Sequence, residues 1–195
     1  MPAKRNRLDR LLGISLSFGL LCAGAWGQVI SLEPPGQRDF ILDRADLITP
    51  EHEQQIRALC DQLLTERGTP IIVVTIESMA HYGAPNMRIE TFATVLFNQW
   101  GIGHEEVHGT EWNTGILFLV SEGDRKARIE LGATWGRDHD QVAQQIMDDY
   151  IVPKFKAGDF SGGILLGVES LDKMARGLTL PPKPIQIGRA SCRER

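Results

Sequence analysis

The chain has 195 residues, enough for one sizeable hydrophobic core, and its 42 % apolar and 24 % charged composition is that of a folded globular protein and not of a disordered one. Its formal charge of −4 is unevenly spread: residues 1–27 carry a net +3 and residues 187–195 a net +2, which leaves −9 on the rest. So acidic a body repels phosphate backbones and excludes nucleic acid as a partner, while it suits cations.

In chain order, Lys4, Arg5, Arg7 and Arg10 precede an apolar run from Leu11 to Ala25, the pattern of a secretory signal peptide over residues 1–27. Ala25 and Gly27 supply the small side chains a signal peptidase accepts, so the mature chain is expected to start at Gln28 and to be exported, periplasmic or secreted. Leu21 stands before Cys22 where lipidation wants a small residue, which argues against a lipoprotein. Residues 28–39, with Pro34, Pro35 and Gly36, read as an extended leader, and the domain is expected over residues 40–178.

Thr49 can cap a helix that begins at Pro50, places Ile56, Leu59, Cys60, Leu63 and Leu64 on one face, and stops at Gly68. Cys60 lies on that apolar face and reads as a small buried hydrophobe, not a nucleophile. The β-branched run from Ile71 to Ile76 predicts a strand covered on both faces. A second helix is expected from about Asn86 to Asn98, then a buried strand from Gly115 to Val120, a turn over Ser121 to Arg125, and an alternating strand from Ala127 to Leu131. Val142, Ile146, Met147 and Tyr150 mark a third helix, and Ser161 is expected to cap a fourth through Ile164, Leu165, Val168 and Leu171. Residues 179–186, with Pro181, Pro182 and Pro184, read as a stiff linker. Residues 187–195 read as the translation of a sequencing adapter, a non-native tail, so a membrane tether beyond Pro184 stays open as an expectation. The mature part holds no apolar stretch long enough for a membrane span. Two strands joined by a helix imply a right-handed parallel crossover, hence an α/β fold, a three-layer α/β/α domain with a small mixed sheet.

Several segments in register carry a resemblance. Asp43-Arg44-Ala45-Asp46-Leu47, Trp100-Gly101-Ile102-Gly103, Asn113-Thr114-Gly115, Asp124 to Gly132, and Pro153-Lys154-Phe155-Lys156-Ala157-Gly158-Asp159-Phe160 together resemble the TPM domain of exported bacterial and thylakoid proteins. The resemblance implies either acid phosphatase activity or a part in assembling or maintaining membrane-protein complexes, and it implies binding of Ca²⁺ or Mg²⁺. It departs from the family pattern at Gly132-Ala133-Thr134-Trp135-Gly136, which lacks a glutamate many members carry there.

Four residues are the candidate metal ligands: Asp138, Asp140 and Asn113, which a β-hairpin would bring to one sheet edge, and Asp43, a family position that the topology puts at the opposite end. Loop oxygens of this kind suit a hard divalent cation. The plainer alternative is that Asp140 caps the third helix and Asp138 is solvated, with His139 exposed between them. Asp46 is expected to orient the turn into the first helix, and Arg125, Lys126 and Arg128 to form a basic turn and strand face. His104-Glu105-Glu106-Val107-His108 satisfies the His-Glu-x-x-His pattern of zinc peptidases, but Gly103 and Gly109 leave no flanking turns for the helix that pattern needs, so a solvated loop is expected. Two functions follow as expectations. The chain is either a cation-binding interaction module for envelope or membrane proteins, or a metal-dependent acid phosphatase with Asp138 and Asp140 as its acids; the interaction module is favoured because no cationic pair converges with those acids to receive a phosphate.

Overall fold

The computed structural model of the protein describes residues 30–36, 38–107 and 110–182, with side chains for all of these except residues 104–112. The segment read as a signal peptide, with Cys22, His108 of the zinc-peptidase pattern, and the tail from residue 187 lie outside the described residues.

Four strands form a mixed sheet in the order β1 (Ile41–Asp43), β2 (Ile71–Ile76), β5 (Ile116–Ser121) and β6 (Lys126–Leu131). The first three run parallel and β6 closes antiparallel on β5. A separate hairpin joins β3 (His104–Val107) to β4 (Thr110–Asn113). Every residue of β5 is buried, which is why its sequence is apolar from Ile116 to Val120 with no alternation.

The alternation of side chains along β2 and β5 divides the core in two. Ile71, Val73, Ile116, Phe118 and Val120 face α1 (Pro50–Arg67), α3 (Gly136–Ile146) and α5 (Phe160–Ala175). Val74, Ile76, Leu117 and Leu119 face α2 (Ile89–Trp100). Helices therefore cover both faces and the three-layer architecture expected from the sequence is the one observed. Both parallel crossovers step the same way across the sheet, yet α1 and α2 lie on opposite faces, so the two have opposite hands and the right-handed expectation holds for one of them.

Most predicted elements stand where the pattern put them. Thr49 accepts from the His52 N–H, Pro50 opens α1, and Gly68 closes it at φ 65°. Cys60 is fully buried in α1, and burial pushes its thiol up to about 12. Other expectations require correction. The cap of α5 is Asp159, whose carboxylate accepts from Gly162 N–H, while Ser161 lies inside the first turn. α3 begins at Gly136, so Asp140 is an interior helical residue and not a cap. α3 runs on through a π-helical turn, Met147–Ile151, into α4 (Val152–Lys156). Pro153 has no N–H for the carbonyl four residues back, so a wider turn there avoids that mismatch.

The leader is also less separate than its composition suggested. Ile30 and Leu32 are buried against α2. Gln99 bonds both backbone groups of Ile30, and Trp100 Nε1 donates to Leu32 O at 3.0 Å. At the other end Tyr150 donates to Pro181 O at 2.6 Å, which docks the start of the proline-rich segment. No described helix is long and apolar enough to cross a membrane.

Candidate functional site

The four residues picked as ligands do not share a site. Asn113 ends β4 and is buried; its Oδ1 accepts from Gly115 N–H at 3.3 Å and its own N–H donates to Thr134 Oγ1 at 2.9 Å. Gly132 packs directly on it, since a Cβ there would lie 2.1 Å from that Oδ1. The amide is thus a brace between chain segments. Asp138 and Asp140 are exposed on α3. Two residues apart on a helix, they project about 200° from one another around its axis. Asp43 stands at the carboxyl end of β1, paired with Thr75, at the other end of the sheet from Asn113 as the topology predicted. Its carboxylate accepts from Leu47 N–H at 3.1 Å, from Ile48 N–H at 2.9 Å and from the Thr75 hydroxyl. Asp43 thus orients the turn into α1, the role expected of Asp46, which occupies that turn at φ 53°. Among the described residues no three His, Cys, Asp or Glu side chains gather to hold a metal. Calcium or magnesium does not fit these four residues as a set, because their oxygens are inward, divergent or already bonded.

His139 is held rather than free: its Nδ1 lies 2.5 Å from Trp135 O, and Trp135 Nε1 donates to Thr114 O at 2.9 Å. The His-Glu-x-x-His segment is not a loop. Its first four residues are strand β3, paired antiparallel with β4. That extended run does not supply the helical turn on which the pattern sets its two imidazoles, and His108 itself lies outside the described residues.

A larger cleft than the groove beside Asp140 lies elsewhere, at the carboxyl end of β5, where a volume of about 780 Å³ opens between the β5–β6 turn and α4. Met147, Val152, Phe155 and Phe160 give it an apolar floor, and Arg125, Lys126 and Lys156 line its rim. None of these three cations forms a salt bridge among the described residues. The neighbouring Lys154 differs, being tied to Asp159 at 2.8 Å. Among the residues lining the cleft Glu122 is the one acid.

The turn that presents Arg125 is rigidly seated. Asp124 accepts from Ser121 Oγ at 2.6 Å and from Met79 N–H at 2.8 Å, and these bonds hold its carboxyl below the usual aspartate range. Gly123 N–H donates to Glu77 O at 2.8 Å, so close that a Cβ at Gly123 would meet that oxygen at 2.6 Å. Arg125 follows at φ 52° and closes the turn with its N–H on Glu122 O. Sequence reading placed Arg125 and Lys126 in a basic turn but missed Lys156, which reaches them only because α4 folds back beside the hairpin. Its signal was the basic Lys154 to Lys156 segment next to two phenylalanines, which a linear pattern cannot bring to the turn.

Comparison with known proteins agrees with this architecture. A solution structure of the N-terminal domain of a P. gingivalis protein is similar at 24 % identity and a TM-score of 0.59, over 71 % of this chain and 82 % of that one. The N-terminal domain of the cg2496 protein of Corynebacterium glutamicum is similar at 17 % identity and a TM-score of 0.55, over 76 % and 88 %. The BA42 protein of the psychrophilic bacterium Bizionia argentinensis is similar at 18 % identity and a TM-score of 0.51, over 70 % and 88 %. At these identities the likeness is one of fold. No curated protein matches the sequence. The profile of the TPM domain matches residues 41–174, which contain the four-stranded sheet, helices α1 to α4 and all but the last residue of α5, and the chain therefore belongs to the TPM-domain family.

Proposed function

We propose that this chain is an exported interaction module that helps assemble or maintain envelope or membrane proteins, with the cleft at the carboxyl end of β5 as its contact surface. One observation carries the reading: three cations that form no salt bridge among the described residues line a cleft with an apolar floor, on a chain whose body is otherwise acidic. Such a patch attracts an acidic partner and buries apolar groups of that partner beneath the charges. The other carboxylates near the sheet's carboxyl edge, Asp43, Asp124 and Asp159, are each committed to two or more hydrogen bonds, which suits positioning and not chemistry. A photo-crosslinker at Lys156 should give a defined adduct with one envelope protein in cells, and Arg125→Glu should weaken it. Absence of any adduct from positions 125, 126 and 156 would count against the module.

A second reading has its own observation. Arg125, Lys126 and Lys156 could neutralise a phosphate dianion, and Glu122 stands beside them as an acid or base, so the cationic group that the sequence did not reveal is available to a phosphatase. Aryl phosphate turnover that survives purification and vanishes in Glu122→Gln would favour this reading over the first. No step of either passes through calcium or magnesium. Titration calorimetry decides that part of the proposal: a saturable site lost in Asp140→Asn would restore the acids of α3 as ligands.

A further inference from the structure

β6 is the outermost strand of its sheet, and its second edge pairs with no strand among the described residues. Gly132 N–H donates to Gly115 O, and the register pairs Lys126 with Ser121. Antiparallel alternation therefore turns the backbone groups of Lys126, Arg128 and Glu130 toward β5, and those of Ala127, Ile129 and Leu131 outward. These outward groups have no hydrogen-bond partner among the described residues. The edge is also recessed. Glu90 of α2 stands on one side and Asp140 and Gln144 of α3 on the other, with Ala127 and Ile129 between them in a groove of about 230 Å³. Ala127 and Met147 line both this groove and the basic cleft, so the two adjoin along β6. A sheet edge with unpaired backbone groups is a ready template for another strand.

We propose that β6 accepts an extended segment of a partner polypeptide as a fifth, antiparallel strand, whose acidic carboxyl-terminal end is held by Arg125, Lys126 and Lys156. This rests on the interaction-module reading and names what the module takes. The direction follows from charge: β6 starts at Lys126 beside the basic cleft, so an antiparallel neighbour finishes there, where its carboxylates meet the three cations. Asp140, which makes no salt bridge among the described residues, receives a basic residue upstream. Main-chain hydrogen bonds supply affinity, and the charged ends supply register. A second copy of this chain fits less well, because its own β6 is recessed between two helices. Two recessed edges cannot approach to the roughly 4.8 Å that strand pairing requires, whereas a single extended segment can.

The test uses the purified protein and a fluorescein-labelled octapeptide of alternating valine and threonine, with a lysine near its amino end and two aspartates at a free carboxyl end. Saturable anisotropy is expected. N-methylation of alternate peptide nitrogens should abolish it, since those groups pair with the strand edge. Ala127→Pro should also abolish it, because that N–H faces outward and the β5–β6 ladder does not use it. Lys156→Glu should weaken binding about tenfold through the cationic end. If Ala127→Pro fails to fold, the N-methylated peptide alone still decides. Absence of binding, or binding indifferent to N-methylation, overturns strand addition while leaving the cleft reading to its crosslinking test. A dimer in sedimentation that excess peptide does not dissociate also overturns it, since a second copy would then fill the edge.

Discussion

Gly103 and Gly115 meet backbone to backbone. A Cβ on Gly115 would lie 2.4 Å from Ile102 O, and one on Gly103 would lie 2.3 Å from Gly115 N. Two of the segments that carried the family resemblance, Trp100 to Gly103 and Asn113 to Gly115, are thus halves of a single close contact. Gly115→Ala must move main chain and not merely a side chain, and is expected to cost about 3 kcal/mol, read as a lower urea midpoint with an unchanged slope. Asp124 makes a different kind of prediction. Its folded carboxyl is held low by Ser121 and Met79, so its contribution is fully present above the unfolded value of about 3.9 and is lost as pH falls through the lower folded value. Thermal melts should therefore show wild type more stable than Asp124→Asn at pH 7, with the gap closing below pH 4. Lys156 marks the limit of residue-level reading: its charge was visible, but its partners Arg125 and Lys126 lie thirty residues away along the chain.

At the scale of elements, the amino ends of α1 and α5 are stitched together. Thr49 N–H donates to Ser161 Oγ at 2.9 Å, and that oxygen lies 2.7 Å from His52 Nδ1. Ser161 was expected to cap its own helix; it serves the neighbouring one instead, because Asp159 already holds Gly162. Ser161→Ala should therefore cost about 1 kcal/mol in urea unfolding, with Thr49 N–H left to water. α1 was legible from its helical periodicity and β2 from its short β-branched run, because each residue pattern had one compatible structure. The β3–β4 hairpin was not. Its polar residues favour no period, and pairing with each other, not local preference, makes them strands. β1 escaped for a similar reason, since three residues are too few to show alternation.

For the whole molecule, the leader and the domain behave as one body. Ile30 and Leu32 complete the core beside α2, and burying two such side chains is worth about 3 to 6 kcal/mol before the entropy of ordering the strap is subtracted. Removing residues 28–39 should lower the melting temperature by several degrees and raise the fluorescence sensitivity of Trp100, whose indole would lose its bond to Leu32. An unchanged melt would show that the strap adds nothing.

Taken by itself, the sequence determined the layered α/β architecture, the main helix boundaries and the burial of Cys60, because these depend on local periodicity and on the dimensions of helix and strand, while the family was legible from a collinear series of short motifs. Tertiary structure alone decided which charges meet. The acids read as a cluster diverge around a helix or turn inward as braces, and the cations read as an ordinary surface turn converge with a distant lysine. Convergence depends on how elements fold back through space, and spacing along the chain does not encode it for residues so far apart.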